Sequence, residues 1–335
     1  MKVSIIIPVY NAEKTLESVI EACLSQDYPK SSLEIIIVDD GSVDGSSEIA
    51  KRYANHGLRY IYQENSGPAK ARNSGWKASS GEIICFTDAD CLPEREWVSK
   101  LVASYGSQEI GGVGGSYGIV NGDKLLSACI HEEISERHLK MPEVVNYLGS
   151  FNLSYRRRVL EEVGGFDESF KHASGEDNDL SYRVIQKGYT LIFNKDAKVA
   201  HHYPERLIKY LKQQLVHGYW RVKLHRKHPH MLKGDVYSEV LDYIQPPLFL
   251  ITLLLLPFTV IAPSHILFFS MLLTGLLLQF PFAFRIIVRT HKKKYLFLVP
   301  VTFLRGFSRS LGMFLGVVNF ILTIHHSDHR TRGDE

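Results

Sequence analysis

The 335-residue chain has only four cysteines, Cys23, Cys85, Cys91 and Cys129, and no two stand at the short spacing of a metal-binding pair. A disulfide framework is therefore not expected, which fits a reducing compartment. Charge of one sign is lacking too: 39 basic residues face 36 acidic ones, a net +3, and this balance makes no electrostatic case for nucleic acid as a partner. No GxGxxG follows the first apolar run, and GxxxxGK[ST] is absent, so neither a dinucleotide fingerprint nor a triphosphatase phosphate loop is present. The opening MKVSIIIPVY lacks a small-residue cleavage site and is interrupted by Pro8, so it reads as a strand rather than a signal peptide.

Long apolar runs are missing from residues 1–245 and concentrated beyond them, at 246–289 and 296–324. The first stretch divides at 262–265 into two spans of about 20 residues, the length a helix needs to cross a bilayer. Arg289, Lys292, Lys293 and Lys294 mark its end, whereas no lysine or arginine stands between Pro257 and Gln279. The positive-inside rule puts that loop and the soluble part on the cytoplasmic side, with the turn at Pro263 outside. Arg305 and Arg309 interrupt the third stretch. Residues 296–309 are read as lying along the cytoplasmic face and 310–324 as crossing, with the arginines reaching back to the inner interface. The chain thus reads as an integral cell-membrane protein: a soluble domain at 1–204, a basic linker at 205–245, three spans within 246–326, and a polar tail at 327–335. In the linker, Arg206, Lys209, Lys212, Arg221, Lys223, Arg226, Lys227 and Lys233 interleave with Tyr210, Tyr219 and Trp220. Such a mixture suits the phosphate and interface region of the inner leaflet, either as a site for a lipid phosphate or as a plain anchor on anionic lipid.

The soluble part alternates strand and helix patterns. Apolar runs at 3–7 and 33–38, a short alternating strand at 58–63 and a further strand at 82–87 are separated by segments with helical periodicity, such as Leu16, Val19, Ile20, Cys23 and Leu24. This order predicts right-handed crossovers into an α/β fold with a mostly parallel sheet. In such a sheet the residues after each strand converge on one edge, where ligands bind. Residues 8–11, 39–42 and 88–90 should therefore be neighbours. Five carboxylates, Asp39, Asp40, Asp44, Asp88 and Asp90, would then crowd one edge and repel unless a cation or donor-rich ligand were present. Oxygen ligands of this kind suit Mg²⁺ or Mn²⁺ bridging phosphates. A local reading also stands: Asp88 and Asp90, ahead of Pro93, could simply form a turn. Gly-rich residues 111–120 are a strand close to ligand or a mobile connection. Glu176, Asp177 and Asp179 open a helix, where acids also favour its dipole.

Six motifs in this order, SIIIPVYN, VDDGSVDGS, GPAKARNSG, TDADC, GGFDE and GEDNDLSYR, resemble the family 2 glycosyltransferases, whose catalytic domain has the GT-A fold. The likeness runs from residue 3 to about 202. It implies a GT-A nucleotide-sugar-binding domain that transfers a sugar with inversion from a nucleotide-diphospho-sugar, of the UDP-sugar type, with Mg²⁺ or Mn²⁺. By that resemblance Pro8, Tyr10 and Glu13 flank the base, Asp39 and Asp40 face the uracil or ribose, and Arg72 lies near the nucleotide. Asp88 is similar to the carboxylate near ribose and metal, Asp90 to the direct metal ligand, and His202 or His201 to a histidine that completes the metal sphere. Asp177 resembles the general base, with Glu176 supporting it. The Gln-x-x-Arg-Trp sequence of processive synthases does not follow the Glu-Asp pair, so one sugar per encounter is expected. With membrane lipid as neighbour, the implied acceptor is a lipid-linked saccharide or, alternatively, polyprenyl phosphate itself.

Overall fold

The computed structural model describes residues 1–54, 57–234, 236–260 and 263–322. The polar tail at 327–335 lies outside the described residues, as do positions 261 and 262 of the turn before Pro263. The chain forms two compact units. The first comprises Met1–Asn121 and Arg137–Tyr203, with a short piece ending at Tyr237; the second comprises Gly122–Glu136, Pro204–Gly234 and the chain from Ser238 onward.

In the first unit, β1 (Val3–Val9), β2 (Leu33–Asp40), β3 (Leu58–Gln63) and β4 (Ile83–Phe86) alternate with α1 (Leu16–Leu24), α2 (Ser46–Arg52) and α3 (Pro68–Ala78). Six of the seven β1 residues are buried, as expected for a central strand covered on both faces. The close fit of α3 on β1 depends on Gly75, where a Cβ would overlap the Ile6 side chain. All pairings among β1 to β4 are parallel.

Beyond them come β5 (Cys91–Pro93), α4 (Trp97–Ala103), β6 (Ile110–Ile119), α5 (Leu125–His138), β7 (Val144–Val145), β8 (Leu153–Arg156), α6 (Arg157–Val163), α7 (Glu176–Gln186) and β9 (Thr190–His201). The sheet order is β3-β2-β1-β4-β8-β6-β9-β5, with β7 paired to β9. Here the sheet becomes mixed: β8 runs antiparallel to both β4 and β6, and β5 antiparallel to β9. The Gly-rich segment is strand β6. A Cβ at Gly112 would lie 2.5 Å from the Tyr155 ring and one at Gly114 2.6 Å from Leu148, so its glycines admit large neighbours. The two short strands expected near 190 and 198 are one long strand, with a register irregularity opposite Gly115 and Ser116.

The second unit contains α5 as far as Glu136, together with α8 (Leu207–Lys227), α9 (Val240–Leu255), α10 (Ser264–Leu277), α11 (Phe280–Thr290) and α12 (Leu298–Val317). Three stretches, Val240–Phe258, Ser264–Thr290 and Lys293–Ile321, are long and apolar enough to span a membrane. The carboxylates of α5 explain why this helix groups with them. Glu133 bonds Arg305 of α12 at 2.5 Å, and Glu132 bonds Arg289 of α11. Arg305 does not reach out to an interface, as the sequence suggested. It is 5 % exposed, and Tyr210 adds a hydroxyl at 3.3 Å, so its charge is neutralised inside the unit.

Candidate active site

Strand register assembles the expected edge. Val9 pairs with Asp39, so the residues leaving β1 and β2 meet. Asn11, in a left-handed conformation at φ 51°, accepts the Val43 N–H at 2.9 Å through its side chain, and its own N–H donates to Ser42 Oγ. Tyr10 is 54 % exposed beside them. The side chain of Glu13 accepts the Gly45 N–H at 3.4 Å, and its backbone N–H donates to Asp44.

The two acids ending β2 are occupied by protein donors. Asp39 accepts from the Ser42 N–H at 2.9 Å and from the Tyr60 hydroxyl at 2.8 Å. Asp40 accepts from Gln63 and from the Ser66 and Gly67 N–H groups, the latter two at 3.0 and 2.9 Å. It thereby pins the loop that starts α3. Gly67 is needed there: its φ is +97°, and a Cβ would meet the Lys171 carbonyl at 2.8 Å.

Asp88 and Asp90 do both things the sequence allowed. The Cys91 N–H closes a turn onto the Asp88 carbonyl at 3.1 Å, and Thr15 holds the same turn through the Ala89 carbonyl at 2.7 Å. The carboxylates point to different partners. Asp88 accepts from Arg72 at 2.9 Å. Asp90 lies 3.6 Å from His201 Nε2, while His202 contributes its backbone N–H to the Asp90 carbonyl at 3.0 Å. The His201 ring stacks on Phe151 at 5.0 Å and 25°, which fixes its plane. Burial alone would raise the Asp90 carboxyl, but hydrogen bonding and charge from His201 outweigh it and hold the group below its ordinary range.

The Asp90 oxygen, His201 Nε2 and Cys91 Sγ lie within 4.8 Å of one another. A carboxylate and an imidazole suit Mn²⁺ or a similar borderline cation. Cys91 packs into the core, and burial keeps its thiol protonated, so the usable ligands are Asp90 and His201. Two protein ligands leave positions for phosphate oxygens and water, and the donor set fits the implied cation.

Arg72 links this edge to α7. It is 1 % exposed and divides its guanidinium between Asp88 and Glu176, the latter at 2.8 Å. Burial opposes its charge, but Asp88 and Glu176 outweigh that cost and hold it firmly protonated. Glu176 therefore turns inward, whereas Asp177 is half-buried and accepts from the Asn178 and Ser150 N–H groups at 2.8 and 3.2 Å. Burial raises both carboxyls of this pair, Arg72 counteracting. Sequence reasoning missed Ser150 and Phe151, which act through a backbone N–H and a ring face and carry no motif. It also missed Tyr60, whose place beside Asp39 follows from the pairing of β3 with β2. Asn73, inside GPAKARNSG, is also structural: its side chain brackets the Phe166 N–H and carbonyl, tying α3 to the GGFDE turn.

Residues 4–164 match the family model described as glycosyl transferase family 2. Among curated proteins, the chain is 35 % identical over 211 residues to glycosyltransferase AglE of Haloferax volcanii, covering 59 % of this chain and 66 % of that one. It is 28 % identical over 222 residues to the glucosyl-dolichyl phosphate glucuronosyltransferase of the same organism, covering 60 % and 69 %. The chain spans about half to two thirds of the length of the first curated relatives it matches. Among solved structures, the mannosyltransferase PcManGT from Pyrobaculum calidifontis, in complex with GDP-Man and Mn²⁺, shares the fold with a TM-score of 0.62 and 20 % identity. The match covers 93 % of this chain and 87 % of that one.

Proposed function

We propose that the chain, whose residues 4–164 match the family 2 glycosyltransferases, transfers one sugar, with inversion, from a UDP-sugar to a lipid-linked saccharide at the cytoplasmic membrane face. The observation that carries this reading is the division of labour across Arg72. On one side Asp88 and Asp90, with His201, offer a donor and cation site; on the other Glu176 takes the second arm of Arg72, and Asp177 beside it is held by the Asn178 and Ser150 N–H groups. Pro8, Tyr10 and Glu13, at the end of β1, are assigned to the nucleotide base. Asp39 orients that edge together with Tyr60, and Asp40 shapes it from behind by holding residues 66 and 67.

Inversion needs a base on the face opposite the leaving diphosphate, placed to take the acceptor hydroxyl proton as the new bond forms. Asp177 is assigned that role. Its two backbone donors fix the carboxylate, and burial makes it a stronger base than a free aspartate. Glu176 and Arg72 are positioning residues, because both are sealed from solvent and act through their neighbours. Asp90 and His201 would hold a divalent cation, which when bound neutralises charge developing on the leaving diphosphate.

The acceptor reading draws on two supports. The second unit offers helices of membrane length, and one relative's name specifies a sugar already carried on dolichyl phosphate. Direct transfer to polyprenyl phosphate is the alternative, and there Asp177 would matter less because a phosphate oxygen is already ionised. Membranes containing the chain, given a panel of nucleotide sugars, should yield a new glycolipid seen by mass spectrometry. A lipid extract unchanged by every donor would contradict the proposal.

A further inference from the structure

Length and apolar content make Lys293–Ile321 a candidate crossing, but its packing partner is α8, a helix no hydrocarbon layer would accept. The two helices run side by side in the same direction. Arg305 meets Tyr210, Arg309 donates to Gln214 at 2.7 Å, Asn319 donates to the Tyr219 hydroxyl at 2.5 Å, and Arg226 donates to the Phe320 carbonyl. Glycines bring the backbones together. A Cβ on Gly218 would overlap the Arg309 carbonyl, one on Gly312 the Leu215 carbonyl, and one on Gly316 would sit 2.6 Å from the Tyr219 carbonyl. Whatever orientation α12 takes in a membrane, α8 must share it.

That constraint decides the orientation. The 21 residues of α8 extend roughly 30 Å, the thickness of a hydrocarbon core. They carry Lys209 and Lys212 near one end, Arg221 and Lys223 beyond the middle, and Arg226 and Lys227 at the other. Were the pair to cross, Arg221 and Lys223 would lie in hydrocarbon and the last turn of α8 would emerge outside. Laid flat, the pair keeps all of them at headgroup level, where basic and aromatic side chains are favoured.

A second relationship agrees. Arg285, midway along α11 and in the last third of the Ser264–Thr290 stretch, bonds Glu239 at the start of α9 at 2.8 Å, so the end of that stretch and the start of α9 share one side, the side marked by Arg289 and Lys292 to Lys294. A crossing α12 would move away from that side as it leaves Lys293. Yet Arg309, about four helical turns further on, lies 3.7 Å from Asp242 in the first turn of α9. The earlier residues Phe303 and Phe307 pack on Phe249, deeper in α9. Along α12 the contacts return toward the inner end instead of leaving it.

We infer that α8 and α12 form a platform lying in the plane of the inner leaflet, with two crossings, α9 and the α10–α11 stretch, rather than three. The platform's partner is the lipid surface itself. Leu304, Leu311, Leu315 and Val318 of the α12 stretch are each about two fifths exposed and would face the acyl boundary. The inference rests on reading α9 to α11 as crossings.

Single cysteines on the full chain in sealed vesicles test it, because the four native cysteines are buried. Lys292→Cys and Pro263→Cys check the crossings and should label from opposite sides; labelling from the same side would overturn both that reading and the platform. With those references in place, Lys212→Cys and Lys227→Cys should both label with Lys292→Cys. Labelling of Lys227→Cys only together with Pro263→Cys would overturn the platform alone. Spin labels at L304C, L311C and V318C give an independent readout: one shared shallow depth is expected, and a depth profile passing through the bilayer centre would contradict it.

Discussion

Arg72 and Glu176 stand 104 positions apart in sequence and meet at 2.8 Å with about one per cent of either side chain exposed. The second arm of the same guanidinium holds Asp88. Removing it with Arg72→Gln strands two carboxylates, one of them fully buried, a change that typically costs about 3–5 kcal/mol. Arg72→Lys keeps the charge but cannot span both partners. We expect the lysine variant to melt between the glutamine variant and wild type, and to lose turnover more than donor affinity, read as a fall in kcat with little change in KM. Equal loss of donor affinity would instead place Arg72 against the nucleotide.

Burial raises the Asp177 carboxyl, and the Asn178 and Ser150 N–H groups recover only part of that. A base works deprotonated, so the rate should climb as pH rises through the raised pKa. The acid limb of kcat/KM should therefore lie above the ordinary aspartate value of about 4. Asp177→Asn should lower turnover roughly 10²- to 10⁴-fold with donor binding retained. An acid limb at or below the ordinary value, or near-normal transfer by Asp177→Asn onto a hydroxyl acceptor, would remove Asp177 from the role.

His201 and His202 are separable by metal binding. Only the His201 ring faces Asp90, at 3.6 Å. Mn²⁺ binding by calorimetry should weaken about tenfold or more in His201→Ala and stay near wild type in His202→Ala. The reverse order would move the site to His202. Chelation of divalent ions should also abolish transfer.

Asp40 tests a different assignment. Its oxygens accept from Gln63 and the Ser66 and Gly67 N–H groups, so its work is to hold the loop opening α3. Asp40→Asn places an amide against those donors, and a loss of about 1–3 kcal/mol in denaturant unfolding is expected. Unchanged stability with lost nucleotide binding would assign it to ligand contact.

Much of the first unit was legible because burial on both faces writes itself as continuous apolar runs. Strand β3 occupies the expected positions, and Gly164 caps α6 in the left-handed conformation that a Gly-Gly pair suggests. That the residues leaving β1 and β2 meet followed from topology alone. What could not be read was partnership. Whether Arg72 faces ligand or is sealed between Asp88 and Glu176 depends on where α7 packs, which no local pattern states. The reversal of β8 was hidden for a similar reason, since LSYR pairs equally well in either direction. The fate of α12 depended on its neighbour: hydropathy sees its apolar residues but not the glycines that bind it to α8.

The central claim is inverting transfer from a UDP-sugar to a lipid-linked acceptor, and the anomeric configuration of the product tests it most directly. Purified full-length chain in lipid, given an α-linked UDP-sugar, Mn²⁺ and extracted lipid-linked acceptor, should form a β-linked glycolipid, seen as a large anomeric proton coupling by NMR for a gluco- or galacto-configured sugar. An α-linked product, or donor consumed with no sugar reaching lipid, would contradict the account.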